Sequence, residues 1–130
     1  MANPKLEALN SKQVPISNAS NSKKYDLDER TFEFAKACRQ YVASLPKTAQ
    51  NIEDGKQLIR SSGSTAANYI EASEAVSKKD FVLRIKIAKK EARETILWLK
   101  LIGGNNVSMG LLVEATEIMK IFGAIIEKSK

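Results

Sequence analysis

The sequence predicts an all-α protein, an antiparallel up-down-up-down four-helix bundle. Three observations carry this. Four stretches repeat apolar residues at spacings of three and four, short breaks separate them, and no stretch alternates as a strand does. Short connections force successive helices to run in opposite directions. At 130 residues the chain makes one domain with a proper, though modest, core.

Residues 1–24 are rich in Asn, Ser and Lys and poor in large apolar residues. Such a stretch buries too little surface to offset its ordering entropy. It is predicted to be a flexible tail, mildly basic through Lys5, Lys12, Lys23 and Lys24, ahead of a bundle domain over 25–130.

The first helix is expected to start at Asp26 or Asp28, either of which can cap it. Its stripe is Phe32, Ala35, Cys38 or Arg39, Val42 and Leu45, widened by Phe34 and Tyr41. Pro46 ends it, and Pro46-Lys47-Thr48 turns into the second helix, expected over about 49–76. There Ile52, Ile59, Gly63, Ala66, Ile70 and Ser73 share one side. Leu58, Ser62, Thr65, Tyr69, Ala72 and Val76 form the adjoining one. The middle, Ser61 to Ala67, has only small side chains, and Gly63 costs about 1 kcal/mol against Ala in a helix. Tertiary packing must hold this segment, and small residues let a neighbouring backbone come close. Arg60, Ser64, Asn68 and Glu71 lie on the remaining side. Arg60 and Glu71 are about 16 Å apart along the axis, too far to pair with each other.

Ser77 followed by Asp80 reads as a capping-box start for the third helix, which meets no Pro or Gly until Gly103. It therefore runs about 24 residues, roughly 36 Å. Phe81, Ile85, Ala88, Ala92, Ile96, Leu99 and Ile102 fall on one side as a bundle seam. Leu83, Ile87, Trp98 and Leu101 lie nearly opposite, with Glu94 among them. One core cannot cover both sides, so these four are the expected oligomer interface. Lys79, Lys86, Lys89, Lys90, Arg93 and Lys100 occupy one flank between the two, within roughly a third of the circumference.

Gly103-Gly104-Asn105-Asn106 is a strong stop and turn. Ser108 is the expected cap of the last helix, about 109–128. Leu111, Ala115, Ile118, Phe122 and Ile125 form its seam, widened by Leu112, Met119 and Ile126, with Lys128 placed favourably for the helix dipole.

Net charge is +6 and the pI about 9.5. That balance suits an anionic partner such as nucleic acid or acidic lipid, though it also serves plain solubility. The chain has no histidine. Imidazole metal ligands, His general bases and the Ser-His-Asp and Cys-His nucleophile systems are excluded. Cys38 is the single cysteine, which excludes an intrachain disulfide and a Cys-cluster metal site; its apolar setting predicts a buried structural thiol. With neither an apolar signal core nor an 18-residue apolar run, the expectation is a cytoplasmic protein without a membrane partner. Glu91 and Glu94 have helical spacing for a carboxylate pair, but basic neighbours in sequence predict ion pairs. The expectation is a protein that is not an enzyme and needs no cofactor.

The second and third helices resemble a known family. The carrying residues are Arg60-Ser61-Ser62, Ala67-Asn68-Tyr69-Ile70-Glu71-Ala72, Ser77-Lys78-Lys79-Asp80-Phe81, Ile87-Ala88 and Glu91-Ala92-Arg93-Glu94-Thr95. Their order and spacing, more than any one piece, are similar to bacterial four-helix-bundle proteins often called intervening-sequence proteins. Some of those are encoded in inserts within large-subunit ribosomal RNA genes. The resemblance covers about Tyr25 to Lys128 and is strongest from Arg60 to Ile102. Many members carry glycine after the motif glutamate, where this chain has Ala72. The resemblance implies a bundle that assembles as a ring-like homopentamer. It also implies kinship to the accessory variability protein of diversity-generating retroelements, a basic pentamer that binds nucleic acid and a reverse transcriptase.

The expected function is therefore non-catalytic: an oligomer binding RNA or DNA through the basic flank. With no zinc finger, RNP aromatic pair or Gly-x-x-Gly loop, backbone contact with little sequence preference is the expected mode. The alternative is a protein-interaction scaffold whose flank meets an acidic protein.

Overall fold

In the computed structural model, residues 26–130 are described; the predicted tail, 1–24, lies outside the described residues. These hold four helices, α1 (Leu27–Ser44), α2 (Ala49–Ser73), α3 (Lys78–Ile102) and α4 (Asn106–Lys128). The compact unit that holds the bundle is Thr31–Lys130, and the described residues ahead of it, 26–30, are the start of α1.

Local chemistry explains each boundary. The Asp26 carboxylate accepts from the Glu29 amide at 3.2 Å, so Asp26 rather than Asp28 opens α1. Thr48 accepts from the Asn51 amide at the start of α2. Ser77 accepts from the Asp80 amide, as its spacing predicts, at the start of α3. The reciprocal capping box forms at α4 instead: Asn105 Oδ1 accepts from the Ser108 amide at 2.9 Å and the Asn105 amide donates to Ser108 Oγ at 3.2 Å. Asn105 is thus the cap, and Ser108 stands inside the helix as its partner. Gly103 and Gly104 have φ of 60° and 101°, a region where a Cβ would clash, and this is how α3 stops. α2 stops at Ser73, three residues short of the expected end.

The helices run antiparallel to their neighbours in sequence. α2 packs most closely on α3, and α3 on α4. The middle of α2 explains the first of these. Ser61, Ser62 and Thr65 are fully buried with almost no side-chain bulk; Ser61 faces α3, and Ser62 lies beside Cys38 of α1. Thr95 Oγ1 donates to Ser61 Oγ across the helix pair at 2.8 Å, and Thr65 Oγ1 is satisfied by the Ser61 carbonyl. The hydroxyls therefore sit in the core without an unmade bond. The small-residue stretch does admit a close neighbour, as expected.

Two faces depart from their expected positions, α1 slightly and α2 more. In α1, Ala35, Cys38, Phe34 and Tyr41 are buried as expected, together with Thr31, while Phe32 is exposed and Val42 and Leu45 are half-buried. In α2, the core face is Gly55, Leu58, Ser61, Ser62, Thr65 and Ala72, and Ile52 and Ile70 are exposed. Most of the expected seams of α3 and α4 are buried: Ile85, Ala88, Ala92 and Leu99, and Leu111, Ala115, Ile118 and Phe122; Phe81, Ile96, Ile102 and Ile125 are only half-buried, and Glu91 and Thr95 join the buried face of α3. Cys38 is the expected buried thiol, and burial pushes it up to about 12. Two contacts tie non-sequential helices. The Tyr69 ring of α2 stacks near Phe122 of α4 with centroids 6.0 Å apart, and Tyr41 of α1 donates to the Gly103 carbonyl at 2.8 Å.

Glycine roles separate cleanly. A Cβ on Gly55 would come within 2.8 Å of Val42 Cγ1 of α1, whereas one on Gly110 meets nothing within 4 Å. At Gly63 the neighbour is the Arg39 guanidinium rather than a backbone. Gly55→Ala should therefore lower stability through overpacking, by about 1–3 kcal/mol. Gly110→Ala should raise it by about 0.5–1 kcal/mol, because only the helix-propensity gain remains. Urea unfolding of the two variants checks the opposite signs.

Candidate nucleic-acid interface

All six flank cations of α3, Lys79, Lys86, Lys89, Lys90, Arg93 and Lys100, are exposed. They are brought to one surface because α3 presents its seam to the core and turns this sector to water. Leu97, which sequence reasoning missed, interrupts the row as an exposed apolar residue. Among the described residues, only Lys90 of the six has a carboxylate at ion-pair distance: its Nζ lies 3.8 Å from Glu91 Oε2.

The two α3 acids are drawn away from the flank by a residue of α2. Arg60 Nη2 lies 2.8 Å from Glu94 Oε1, where it donates a hydrogen bond, and 3.2 Å from Glu91 Oε1. Glu91 is buried, and at its Oε1 the Arg60 contact is an ion pair without hydrogen-bond geometry. Ion pairs are thus the role of both carboxylates, but their main partner is Arg60 across the helix pair rather than a neighbour on α3. No spacing rule links residues 31 and 34 positions apart, so only a helix-pair register could have found this.

Lys89 differs from the rest of the row. A Cβ on Gly123 of α4 would lie 3.7 Å from Lys89 Nζ and 3.8 Å from its Cε. The Lys89 side chain therefore lies across α3 onto α4.

The four residues expected at an oligomer interface are not equivalent. Leu83 and Leu101 are exposed, whereas Ile87 and Trp98 are half-buried within one chain. Trp98 Nε1 is shielded from solvent and has no acceptor among the described residues.

Fold and surface define a class: a small four-helix bundle with a row of exposed cations on one outer helix face. The chain belongs to the 23S rRNA-intervening sequence protein family, which it matches over residues 23–121. It is also similar to a solved protein of unknown function from the S23 ribosomal protein family of Bacteroides thetaiotaomicron. That likeness has a TM-score of 0.68 at 29% identity and covers 78% of this chain and 98% of the other. No functionally curated protein matches. Among the described residues, no helix is long and apolar enough to cross a membrane.

Proposed function

We propose that this protein is a non-catalytic, oligomeric nucleic-acid-binding bundle that contacts phosphates through the α3 flank with little sequence preference. One observation carries the reading: six of the eight cations of α3 face solvent in a single sector while Arg60 holds Glu91 and Glu94 on another side. A merely solvated face intersperses its signs. An unneutralised row of cations repels itself, and a polyanion relieves that repulsion while releasing counterions.

Exposed Leu83 and Leu101 support self-association through the second apolar side of α3. A second copy would cover these leucines. A head-to-tail contact that closes into a ring repeats the flank around the assembly; the number five rests on the family resemblance alone. A reverse transcriptase as protein partner rests on the same ground.

The test is titration of mixed-sequence DNA duplex, RNA duplex and single strands across a salt series, with light scattering on the same samples. RNA is included because the family description names 23S rRNA. The triple replacement of Lys86, Lys90 and Arg93 by Gln should weaken binding to all probes. It should flatten the slope of log affinity against log salt by about 0.7–0.9 for each phosphate no longer neutralised. Helicity and oligomer mass should not change. A triple variant that binds as the parent does, with the same slope, rejects the flank as the site. A parent that binds nothing at low salt gives way to the scaffold reading, in which the flank meets an acidic protein. A monomer mass at micromolar concentration rejects the oligomer.

A further inference from the structure

The exposed surface of α3 is basic on one side and apolar on the other. Resting on the nucleic-acid reading above, we infer that the ligand is a single strand laid along α3, with its phosphates on the cation row and its bases over Leu97.

Leu97 is 48% exposed and stands on the crest of α3, opposite the buried Ile85, Ala88, Ala92, Thr95 and Leu99. Lys79 and Lys90 share that crest. To one side lie Lys86, Arg93, Lys100 and Lys89, roughly 20°, 40°, 60° and 80° round the axis from Leu97. To the other side lie Leu83 and Leu101, about 40° round, and Glu94, about 60°. Along the axis Leu97 has Arg93 one turn before it and Lys100 nearly one turn after it. All six flank cations and the three leucines are exposed. A basic line and an apolar line therefore run side by side along the helix, over about 32 Å from Lys79 to Lys100.

A duplex and a single strand ask different things of such a surface. A helix seated in the major groove has a phosphate strand on each flank. α3 could neutralise one of them, while the other would meet Leu83, Leu101 and Glu94, two apolar side chains and a carboxylate. That strand would be desolvated without a partner. A duplex resting on the cations alone leaves Leu97 in water and gains nothing from it. A single strand is itself one-sided: phosphates run along one edge, and bases with apolar faces hang from the other. With the backbone over Lys86, Arg93 and Lys100, the bases fall over Leu97. Contact between a base face and an aliphatic side chain removes apolar surface from both. It does not depend on which base is present, because every base has such a face. Leu83 and Leu101, farther from the cations, stay available for the second copy.

The probes are an unstructured single strand of mixed sequence, an abasic strand of the same length and a duplex of the same sequence, all DNA, with the single strand and the duplex repeated as RNA. Each is titrated across a salt series. At physiological ionic strength the single strand should bind about tenfold tighter than the duplex. Removing its bases should weaken it about three- to tenfold and leave the salt slope unchanged, since the phosphates are the same. Leu97→Ser should bring the intact strand down to the affinity of the abasic one, with abasic and duplex binding as in the parent. Leu97→Trp should tighten binding of the intact strand about fivefold or more, because a base stacks on the ring. Circular dichroism and oligomer mass are measured on each variant. A duplex bound as tightly as the single strand overturns the inference, as does an abasic strand bound as tightly as the intact one. So does a Leu97→Ser variant that binds as the parent does, or one whose oligomer mass falls, which would make Leu97 an interface residue. In each of those cases the flank reading stands if the triple variant of Lys86, Lys90 and Arg93 still weakens binding. A parent with no affinity for any probe overturns both.

Discussion

Leu58→Ala should destabilise the bundle by about 2–5 kcal/mol, while Ile70→Ala should cost no more than about 0.5 kcal/mol. Leu58 is 0% exposed and Ile70 52% exposed, although both belong to α2 and their side chains are of equal size. Truncating Leu58 opens a cavity opposite the close α2–α3 contact, where the Ser61–Thr95 hydrogen bond and the tight backbone approach resist collapse. Truncating Ile70 removes surface that is already half in water. Chemical denaturation with a constant m-value measures the contrast directly. Equal costs would mean that α2 turns its isoleucine side inward and that the face assigned to the core is wrong. Self-association adds one distinction: if a second copy covers Ile70, its cost should grow with protein concentration, whereas that of Leu58 should be present throughout.

Arg60→Met should cost about 1–3 kcal/mol, more than any other substitution of an exposed cation in this chain. Arg60 is half-exposed, but Glu91 beneath it is 7% exposed. Removing the guanidinium strands a carboxylate that water reaches poorly, and the penalty is that of an unsatisfied buried group rather than of a surface ion pair. Glu94→Gln should cost less, within about 1 kcal/mol, because Glu94 is itself partly in water and its pair is screened. Arg60→Met combined with Glu91→Gln should recover much of the single-variant destabilisation. A double-mutant cycle supplies the number: coupling below about 0.3–0.5 kcal/mol would show the two sites to be independent and the clip to be without weight. Binding offers a second readout. With Arg60 gone, Glu91 and Glu94 are free to turn toward Lys90 and Arg93, so affinity for the probes should fall although no flank cation has been touched.

Much of the fold was legible because its signals are local. Ser77 and Asp26 cap helices through bonds to amides three residues on, and the glycines at 103 and 104 adopt their positive φ without a Cβ clash. Apolar periodicity placed most of the seams of α3 and α4, although Phe81, Ile96, Ile102 and Ile125 are only half-buried. The same rule misled in α2, and at Phe32 of α1. In α2 it ranked Ile52 and Ile70 by size, but the buried face takes Ser61, Ser62 and Thr65, whose hydroxyls bond to carbonyls of their own helix. Which stripe of a two-sided helix faces inward depends on what its neighbour can accommodate.

The sequence by itself determined four helices, their order and their alternating direction, a basic sector on α3, and a chemistry without histidine. Each follows from contacts within a few residues, or from composition, and needs no knowledge of a partner. Only the tertiary structure decided that Arg60 draws Glu91 and Glu94 off the flank, that Lys89 reaches across to Gly123, and that Ile52 and Ile70 of α2 face outward. These depend on the register between helices. That register is set by how small side chains and backbones interlock over long sequence separations, which no local period encodes.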